Sequence, residues 1–121
     1  MGNLVYHSLE PISKEEVEVE LAFDDPDRKV NALLRASYHV DDWRWVQEKA
    51  LQYLHHDDYW VRNASLLSLI HLARIHGVLD AETVRPILAK LQDDPEISGR
   101  VVETLEEINW FLNLGEDRAE N

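Results

Sequence analysis

Apolar residues recur along most of this chain with the spacing of α-helices. The most apolar stretch runs from Asp58 to His76, where leucine, isoleucine and alanine fall on nearly every side of a helix. A helix without a polar face is buried at the centre of a domain. We therefore predict that this segment is the central helix and that Gly77 ends it, because glycine tolerates the left-handed conformation that follows many helices.

The last helix has a different pattern, with one apolar stripe and acidic residues beside it. The stripe consists of Ile97, Val101, Leu105, Ile108 and Leu112. A single stripe indicates a helix that packs on one side and faces water on the other, as the terminal unit of a repeat array must.

Four aspartate pairs stand ahead of apolar runs with helical spacing. They are Asp24/Asp25, Asp41/Asp42, Asp57/Asp58 and Asp93/Asp94. An aspartate in this place accepts hydrogen bonds from the free amides of the first helical turn, and its charge is favourable at the positive end of the helix dipole. The sequence thus predicts helices from Pro26 to Tyr38, from Asp42 to about His55, from Asp58 to His76 and from Asp94 or Pro95, with a further start at Asp80.

Residues 13 to 23 are compatible with a helix or with a strand. Ser13 and Glu16 have the spacing of a helical capping box, whereas Val17, Val19 and Leu21 alternate with acidic residues as in a strand. We favour a short helix, because an edge strand here would have no evident pairing partner. Residues 1–12 are interpreted as an irregular arm, residues 13–112 as one helical domain and residues 113–121 as a frayed acidic tail.

Part of the sequence is repeated. When one histidine is dropped, the segment after Leu54 aligns with the segment after Leu91 at an offset of 36 residues. Asp57/Asp58 then match Asp93/Asp94, and Val61, Leu69 and Leu72 match Ile97, Leu105 and Ile108. A helical repeat of about 30 to 47 residues is typical of an α-solenoid. The additional start at Asp80 divides each repeat into two antiparallel helices.

Residues 40 to 112 resemble HEAT repeats. The resemblance rests on Asp57, Asp58, Val61, Arg62, Ala64, Leu66, Leu67 and Leu69, more loosely on Asp42, Val46, Ala50, Leu51 and Leu54, and on Pro86 in the first helix of its pair. The third copy departs from the pattern, because Ser98 replaces the arginine and Gly99 occupies the first turn. The resemblance implies an all-α fold, a short right-handed α-solenoid of about two to three HEAT-like helix pairs.

The net charge of −12 changes the picture of possible partners. It argues against nucleic acid, because binding the phosphate backbone requires lysine and arginine. It favours a basic protein partner, whose approach a negative field accelerates. The alternative is that acidity only keeps the protein soluble.

The sequence offers little for catalysis or for a cofactor. Cysteine is absent, and the chain contains no Gly-x-Ser-x-Gly, phosphate-binding glycine loop or His-Glu-x-x-His. His55, His56, Asp57 and Asp58 suggest a metal site, but adjacent residues at a turn point in different directions and the aspartates are needed as caps. Without a signal peptide or an apolar stretch of about 18 residues, we expect a soluble, cytoplasmic protein without enzymatic activity, cofactor or membrane contact.

Aromatic residues are the remaining candidates for a binding surface. Trp43, Trp45, Tyr59 and Trp60 lie at two successive helix starts, and tryptophan and tyrosine are favoured at protein interfaces. We expect Trp45 and Trp110 in the core, and Trp43 and Tyr59 on the exposed surface. The predicted partner-binding residues are Asp41, Asp42, Trp43, Asp57, Asp58, Tyr59, Trp60, Asp93, Asp94, Glu103, Glu106 and Glu107.

These observations predict a non-catalytic protein-binding module. The most specific hypothesis is an acidic immunity protein that binds and neutralises a basic bacterial toxin, such as a nuclease with a cationic active site. The alternatives are a structural or regulatory subunit that docks onto a larger assembly and, third, a metal-binding protein.

Overall fold

The computed structural model describes residues 10–120, with side chains to residue 113. Regular structure in this part of the chain is entirely helical, so the all-α prediction is confirmed. The helices are α1 (Lys14–Ala22), α2 (Pro26–His39), α3 (Trp43–Tyr53), α4 (Tyr59–His71), α5 (Ala81–Leu91) and α6 (Ser98–Glu120), and a π-helical turn (Leu72–His76) continues α4. No helix among the described residues combines the length and apolar character needed to cross a membrane.

Residues 14 to 22 form a helix, as favoured from the sequence. The Glu16 amide donates to Ser13 Oγ over 3.2 Å, and the Ser13 amide donates to Glu16 Oε1 over 3.0 Å. Val17 and Leu21, four residues apart, are buried, whereas Val19 between them is 58% exposed. The capping box and the helical spacing of the buried residues therefore outweigh the strand-like alternation.

Three of the four aspartate pairs cap helices as predicted, and the second aspartate of each of these pairs makes the cap. Asp25, Asp42 and Asp58 accept hydrogen bonds from amides in the first turns of α2, α3 and α4. Asp80 caps α5 in the same way. The fourth pair differs, because Asp94 accepts from the Glu96 amide over 3.0 Å in a turn before α6, and that helix begins at Ser98 and not at Asp94 or Pro95.

The central position predicted for the segment from Asp58 to His76 is confirmed. α4 contacts α2 on one side, α6 on the other and α3 behind it, and it contributes Val61, Leu66 and Leu69 to the core. The π-helical turn ends at Gly77, whose φ of 70° is the left-handed conformation expected there. α1 packs on α2 and α5 on α6, so each of α2, α4 and α6 has a preceding helix as its partner.

The three helices α2, α4 and α6 run in the same direction. Between α2 and α4, Ser68 Oγ donates to Leu33 O over 3.2 Å, and further along Ser37 Oγ lies 2.9 Å from His71 Nδ1. Between α4 and α6, Arg100 Nε donates to Asn63 Oδ1 over 2.9 Å, and further along both helices Ile70 and Trp110 line one groove. Contacts on both sides of α4 thus join residues about one repeat apart in the chain.

The structure also contains a repeat that sequence analysis did not identify. Lys29 Nζ donates to Leu21 O over 2.6 Å, and Arg62 Nε donates to Leu54 O over 2.8 Å. Lys29 follows the helix cap Asp25 by four residues, as Arg62 follows the helix cap Asp58, and each bond joins residues that are eight apart in the sequence. The same geometry therefore joins α1 to α2 and α3 to α4. Ser98 at the third position cannot form this bond, in keeping with the departure seen in the sequence.

The ends of the chain differ in part from expectation. Residues 1–9 of the proposed arm lie outside the described residues. Glu10 and Pro11 are non-helical, as expected, and their carbonyls accept hydrogen bonds from Arg35 over 3.1 and 2.8 Å. At the other end α6 continues to Glu120, so residues 113–120 are helical. This segment contains no proline, and one glycine costs a helix only about 1 kcal/mol.

Candidate protein-interaction surface

The twelve predicted partner-binding residues lie in three separate places. Asp57, Asp58 and Tyr59 lie at the turn between α3 and α4, which adjoins the turn with Asp93 and Asp94 between α5 and α6, because Asp57 and Asp94 line one pocket. Asp41, Asp42 and Trp43 lie at the opposite end of α3. Trp60, Glu103, Glu106 and Glu107 lie along α4 and α6 themselves. The structure therefore does not bring the whole predicted set together.

Several of the predicted carboxylates are occupied within the fold. Asp42 accepts from Lys14 Nζ over 2.6 Å and from the Trp45 amide, and these two bonds lower the pKa of its carboxyl. Asp94 accepts from Arg62 over 2.7 Å and from the Glu96 amide, which lowers its pKa in the same way. Asp58 caps α4 through two amides. These three residues hold the fold together and are poor candidates for binding a partner.

The aromatic residues are placed differently from the prediction. Trp110, expected in the core, is 62% exposed, and Trp60 is 65% exposed. Trp43 and Tyr59, expected on the surface, are half-buried and pack against the core. The exposure of Trp110 could have been predicted from helical spacing. Trp110 follows the buried Ile108 by two residues, a rotation of about 200° around the helix, and therefore lies on the opposite side.

Trp45 packs against the core as expected, although it is only half-buried. The ammonium groups of Lys14 and Lys49 lie 5.7 and 5.5 Å from its ring centroid. Both lysines also pair with carboxylates, of Asp42 and Glu18. Trp45 thus belongs to a contact between α1 and α3.

Two grooves flank α4, and neither is lined by a residue of α3. The groove between α2 and α4 has a volume of about 270 Å³ and is lined by Asp27, Val30, Leu34, Trp60, Asn63 and Leu67. The groove between α4 and α6 has a volume of about 500 Å³ and is lined by Leu67, Ile70, Arg74, Glu106, Trp110 and Phe111, together with His71 and Glu107. Leu67 lines both grooves, so they adjoin each other, and their apolar residues form a track from Val30 and Leu34 through Leu67 to Phe111. We call this surface the α4 face.

The edges of the α4 face are acidic. The carboxylates of Glu106 and Glu107 are exposed and make no hydrogen bond or ion pair within the described part of the chain. Asp27 is likewise exposed at the other edge. Glu103 lies 3.4 Å from Arg100, which is itself held by Asn63 of α4.

Most lysines and arginines are held by partners within the protein. Among residues 10–113, only Arg74 and Lys90 make no hydrogen bond, ion pair or ring contact. Arg44, for example, stacks on Trp43, and Arg85 donates to Asn109. The exposed carboxylates therefore face solvent without a matching set of free cations, and a basic partner would meet little repulsion.

A buried serine–histidine contact lies beneath the groove between α4 and α6. Ser37 Oγ donates to Leu34 O over 2.7 Å and lies 2.9 Å from His71 Nδ1. The Ser37 side chain is fully buried, so its hydroxyl is not accessible to a substrate. Burial, assisted by the charge of Arg74, lowers the pKa of His71 to about 4. This pair therefore has the properties of a core contact between α2 and α4.

The histidine and aspartate residues before α4 do not converge on one point. His56 Nδ1 accepts a hydrogen bond from the Asp58 amide over 2.9 Å, which directs that nitrogen into the turn. The described side chains contain no group of three or more histidines, aspartates or glutamates placed to hold a metal ion.

Comparison of the chain with protein-family models, curated proteins and solved structures gives no match. The assignment of the α4 face therefore rests on its own geometry and charge.

Proposed function

We propose that this chain is a non-catalytic module that binds a basic protein through the α4 face. The observation that carries the proposal is the exposure of Trp60 and Trp110 at the two ends of an apolar track whose edges carry unpaired carboxylates. Exposed tryptophans beside apolar grooves are typical anchors of protein interfaces. Contiguous apolar surface on a folded protein also marks sites of association.

Charge supports a basic partner over a neutral one. The chain has a net charge of −12, and its described cations are mostly held in internal contacts. Such a field raises the association rate with a cationic protein and discriminates against acidic proteins and nucleic acids. The apolar track would supply affinity, and the carboxylates would supply rate and selectivity.

We further propose that the helices form a short right-handed solenoid of HEAT-like pairs. Three features support this arrangement: the pairing of α1 with α2, α3 with α4 and α5 with α6; the common direction of α2, α4 and α6; and the matching bonds of Lys29 and Arg62. The α4 face would then be the surface formed by the second helix of every pair.

The specific role that we propose is that of an immunity protein. Its partner would be a basic bacterial toxin, for example a nuclease whose phosphate-binding surface is cationic, and an acidic, apolar face would cover that surface. A toxin gene immediately upstream of the gene for this chain is the expected neighbourhood. A solitary gene among housekeeping genes would count against this role while leaving protein binding intact.

The binding proposal is tested by affinity capture from the native cell at low and moderate salt. The wild-type chain is compared with the double variant Glu106→Gln/Glu107→Gln and with the charge-matched control Glu48→Gln/Glu82→Gln. Both control residues are exposed and lie on α3 and α5, which line neither groove of the α4 face. We expect capture of a basic protein that is reduced by the first double variant and by salt, and unchanged in the control.

A second outcome would favour the alternative of a subunit in a larger assembly. In that case the exposed tryptophans dock onto an apolar surface, so Trp60→Ala and Trp110→Ala would abolish capture while salt and the glutamate variants would not. The isolated chain would also self-associate in sedimentation experiments, because its apolar face would have no partner.

A further inference from the structure

Resting on the proposed function, we infer that the occupant of the α4 face is a basic amphipathic α-helix of about 15 residues that crosses α4 diagonally. The inference assigns a secondary structure, a length and an orientation to the part of the partner that binds. It rests on the positions of the two exposed tryptophans, the shared Leu67 and the distribution of the carboxylates.

The length follows from the separation of Trp60 and Trp110. Asn63 pairs with Arg100, and Trp110 lines the same groove as Arg74, so Trp110 is level with the π-helical turn after α4. Trp60 lies about 13 residues before that level, or about 20 Å along the helix axis. Neighbouring helices are about 9 Å apart, so the diagonal between the two tryptophans is about 22 Å. A helix spans that distance in about 15 residues.

A helix fits this surface better than an extended segment. The α4 face is built from α2, α4 and α6, whose backbone groups are bonded within the helices, so it offers no strand edge to pair with. An extended peptide lying on the apolar track would leave its own backbone amides and carbonyls without partners, which is costly. A helix satisfies its backbone internally and presents apolar side chains to a groove.

The two grooves provide places for the apolar side chains of such a helix. Leu67 lies between them, so apolar residues in one half of the partner helix would enter the groove beside Val30, and those in the other half would enter the groove beside Phe111. Lysines or arginines near one end would meet Asp27, and those near the other end would meet Glu106 and Glu107. Arg74 in the second groove is outnumbered by these two carboxylates.

The test uses two synthetic 15-residue peptides of identical leucine and lysine composition. In one the leucines follow helical spacing; in the other leucine and lysine alternate as in a strand. Each is titrated into the full ¹⁵N-labelled chain while the four indole N–H signals are followed by NMR. We expect the helical peptide to shift the signals of Trp60 and Trp110 and not those of Trp43 and Trp45, with an affinity at least tenfold above that of the alternating peptide.

Variants test whether binding occurs at the assigned residues. Trp60→Ala and Trp110→Ala should each weaken the helical peptide by about tenfold, the range for an interface anchor, whereas Val19→Ala, at an exposed apolar position on α1, should not change its affinity. All three positions are well exposed, so the variants retain the fold. Glu106→Gln/Glu107→Gln should weaken binding and flatten its salt dependence, and Glu48→Gln/Glu82→Gln should do neither.

Equal affinity for the two peptides, shifts centred on Trp43 and Trp45, or no response to the helical peptide would overturn the inference. These outcomes differ from failure of the proposed function. If native capture depends on Glu106 and Glu107 but the helical peptide binds no more tightly than the alternating peptide, the face binds a basic protein through a segment that is not this kind of helix. If no basic protein is captured from the cell, the proposed function itself fails, whatever the peptides do.

Discussion

Arg62 Nη2 donates a hydrogen bond to Asp94 Oδ2 over 2.7 Å and thereby joins α4 to the turn before α6. The same guanidinium donates to Glu96 over 2.8 Å and to the Leu54 carbonyl over 2.8 Å. Arg62 is buried, so these acceptors compensate its charge for the hydration that it loses. One side chain therefore connects the end of α3, the start of α4 and the third helix pair.

We expect Arg62→Ala to lower the free energy of unfolding by about 3 kcal/mol, because it removes three hydrogen bonds and leaves a buried carbonyl unpaired. Arg62→Lys should cost about half as much, since Lys29 makes the equivalent bond to Leu21 O. Urea denaturation measures both values. The control is Arg85→Ala, which removes one exposed bond to Asn109 and should change stability by less than about 0.5 kcal/mol. Equal effects of Arg62→Ala and Arg85→Ala would contradict this role of Arg62.

The two aspartates before α4 should differ sharply when replaced. Asp58 accepts hydrogen bonds from the Trp60 and Val61 amides, whereas Asp57 is exposed and makes no such bond. Asp58→Ala should therefore destabilise the fold by about 1 to 2 kcal/mol, and Asp57→Ala by less than about 0.5 kcal/mol. Thermal or urea unfolding of the two variants provides the comparison. A larger loss for Asp57→Ala would mean that the caps are assigned to the wrong member of the pair.

Protonation of His71 should lower the free energy of unfolding in mild acid. Its pKa is lowered from 6.5 to about 4 in the folded state, chiefly by burial and secondly by Arg74. The unfolded chain therefore binds the proton more tightly, so stability is complete above about pH 6.5 and declines as the pH falls towards 4. Between pH 7.5 and pH 5 the expected loss is about 2 kcal/mol.

The matched variant for that prediction is His71→Asn, whose amide can replace the ring nitrogen beside Ser37 without titrating. Its urea midpoint should be lower than that of wild type at pH 7.5 but nearly unchanged between pH 7.5 and pH 5. The carboxylates of Asp42 and Asp94 have lowered pKa values and remain ionised at pH 5, so they do not obscure the comparison. A parallel decline in both proteins would assign the acid sensitivity to other groups.

Local signals in the sequence were enough to predict most of the helices. The aspartate caps, the Ser13 and Glu16 box and Gly77 act on backbone groups a few residues away, and each lies where it was predicted. The equivalence of Lys29 and Arg62 was not predicted. The two residues differ in type, and the bond that each donates to a carbonyl eight residues earlier does not affect the apolar pattern.

The candidate surface was predicted less completely than the fold. Trp60, Glu106 and Glu107 were selected and lie on the α4 face. Asp42 and Asp58 were selected too but are used as caps, and Asp94 is bonded to Arg62 and to the Glu96 amide. Leu34 and Leu67 were not selected, because an apolar residue in a helical stripe gives no sign of whether another helix covers it. That distinction depends on the spacing between α2, α4 and α6, which is a tertiary property.

The same substitution at two glycines should have opposite effects on stability. Gly77 has a φ of 70°, so a side chain there is strained even though no atom lies within 4 Å of the added Cβ. Gly99 lies within α6 with the same open space and ordinary helical backbone. We expect Gly77→Ala to destabilise the fold by about 1 kcal/mol and Gly99→Ala to stabilise it by about 0.5 to 1 kcal/mol, because alanine restricts the unfolded chain and suits a helix. Urea midpoints of the two variants decide the matter. Stabilisation by Gly77→Ala would show that the turn after α4 does not require the left-handed conformation. Destabilisation by Gly99→Ala would show that the first turn of α6 is packed more closely than its open Cβ position implies.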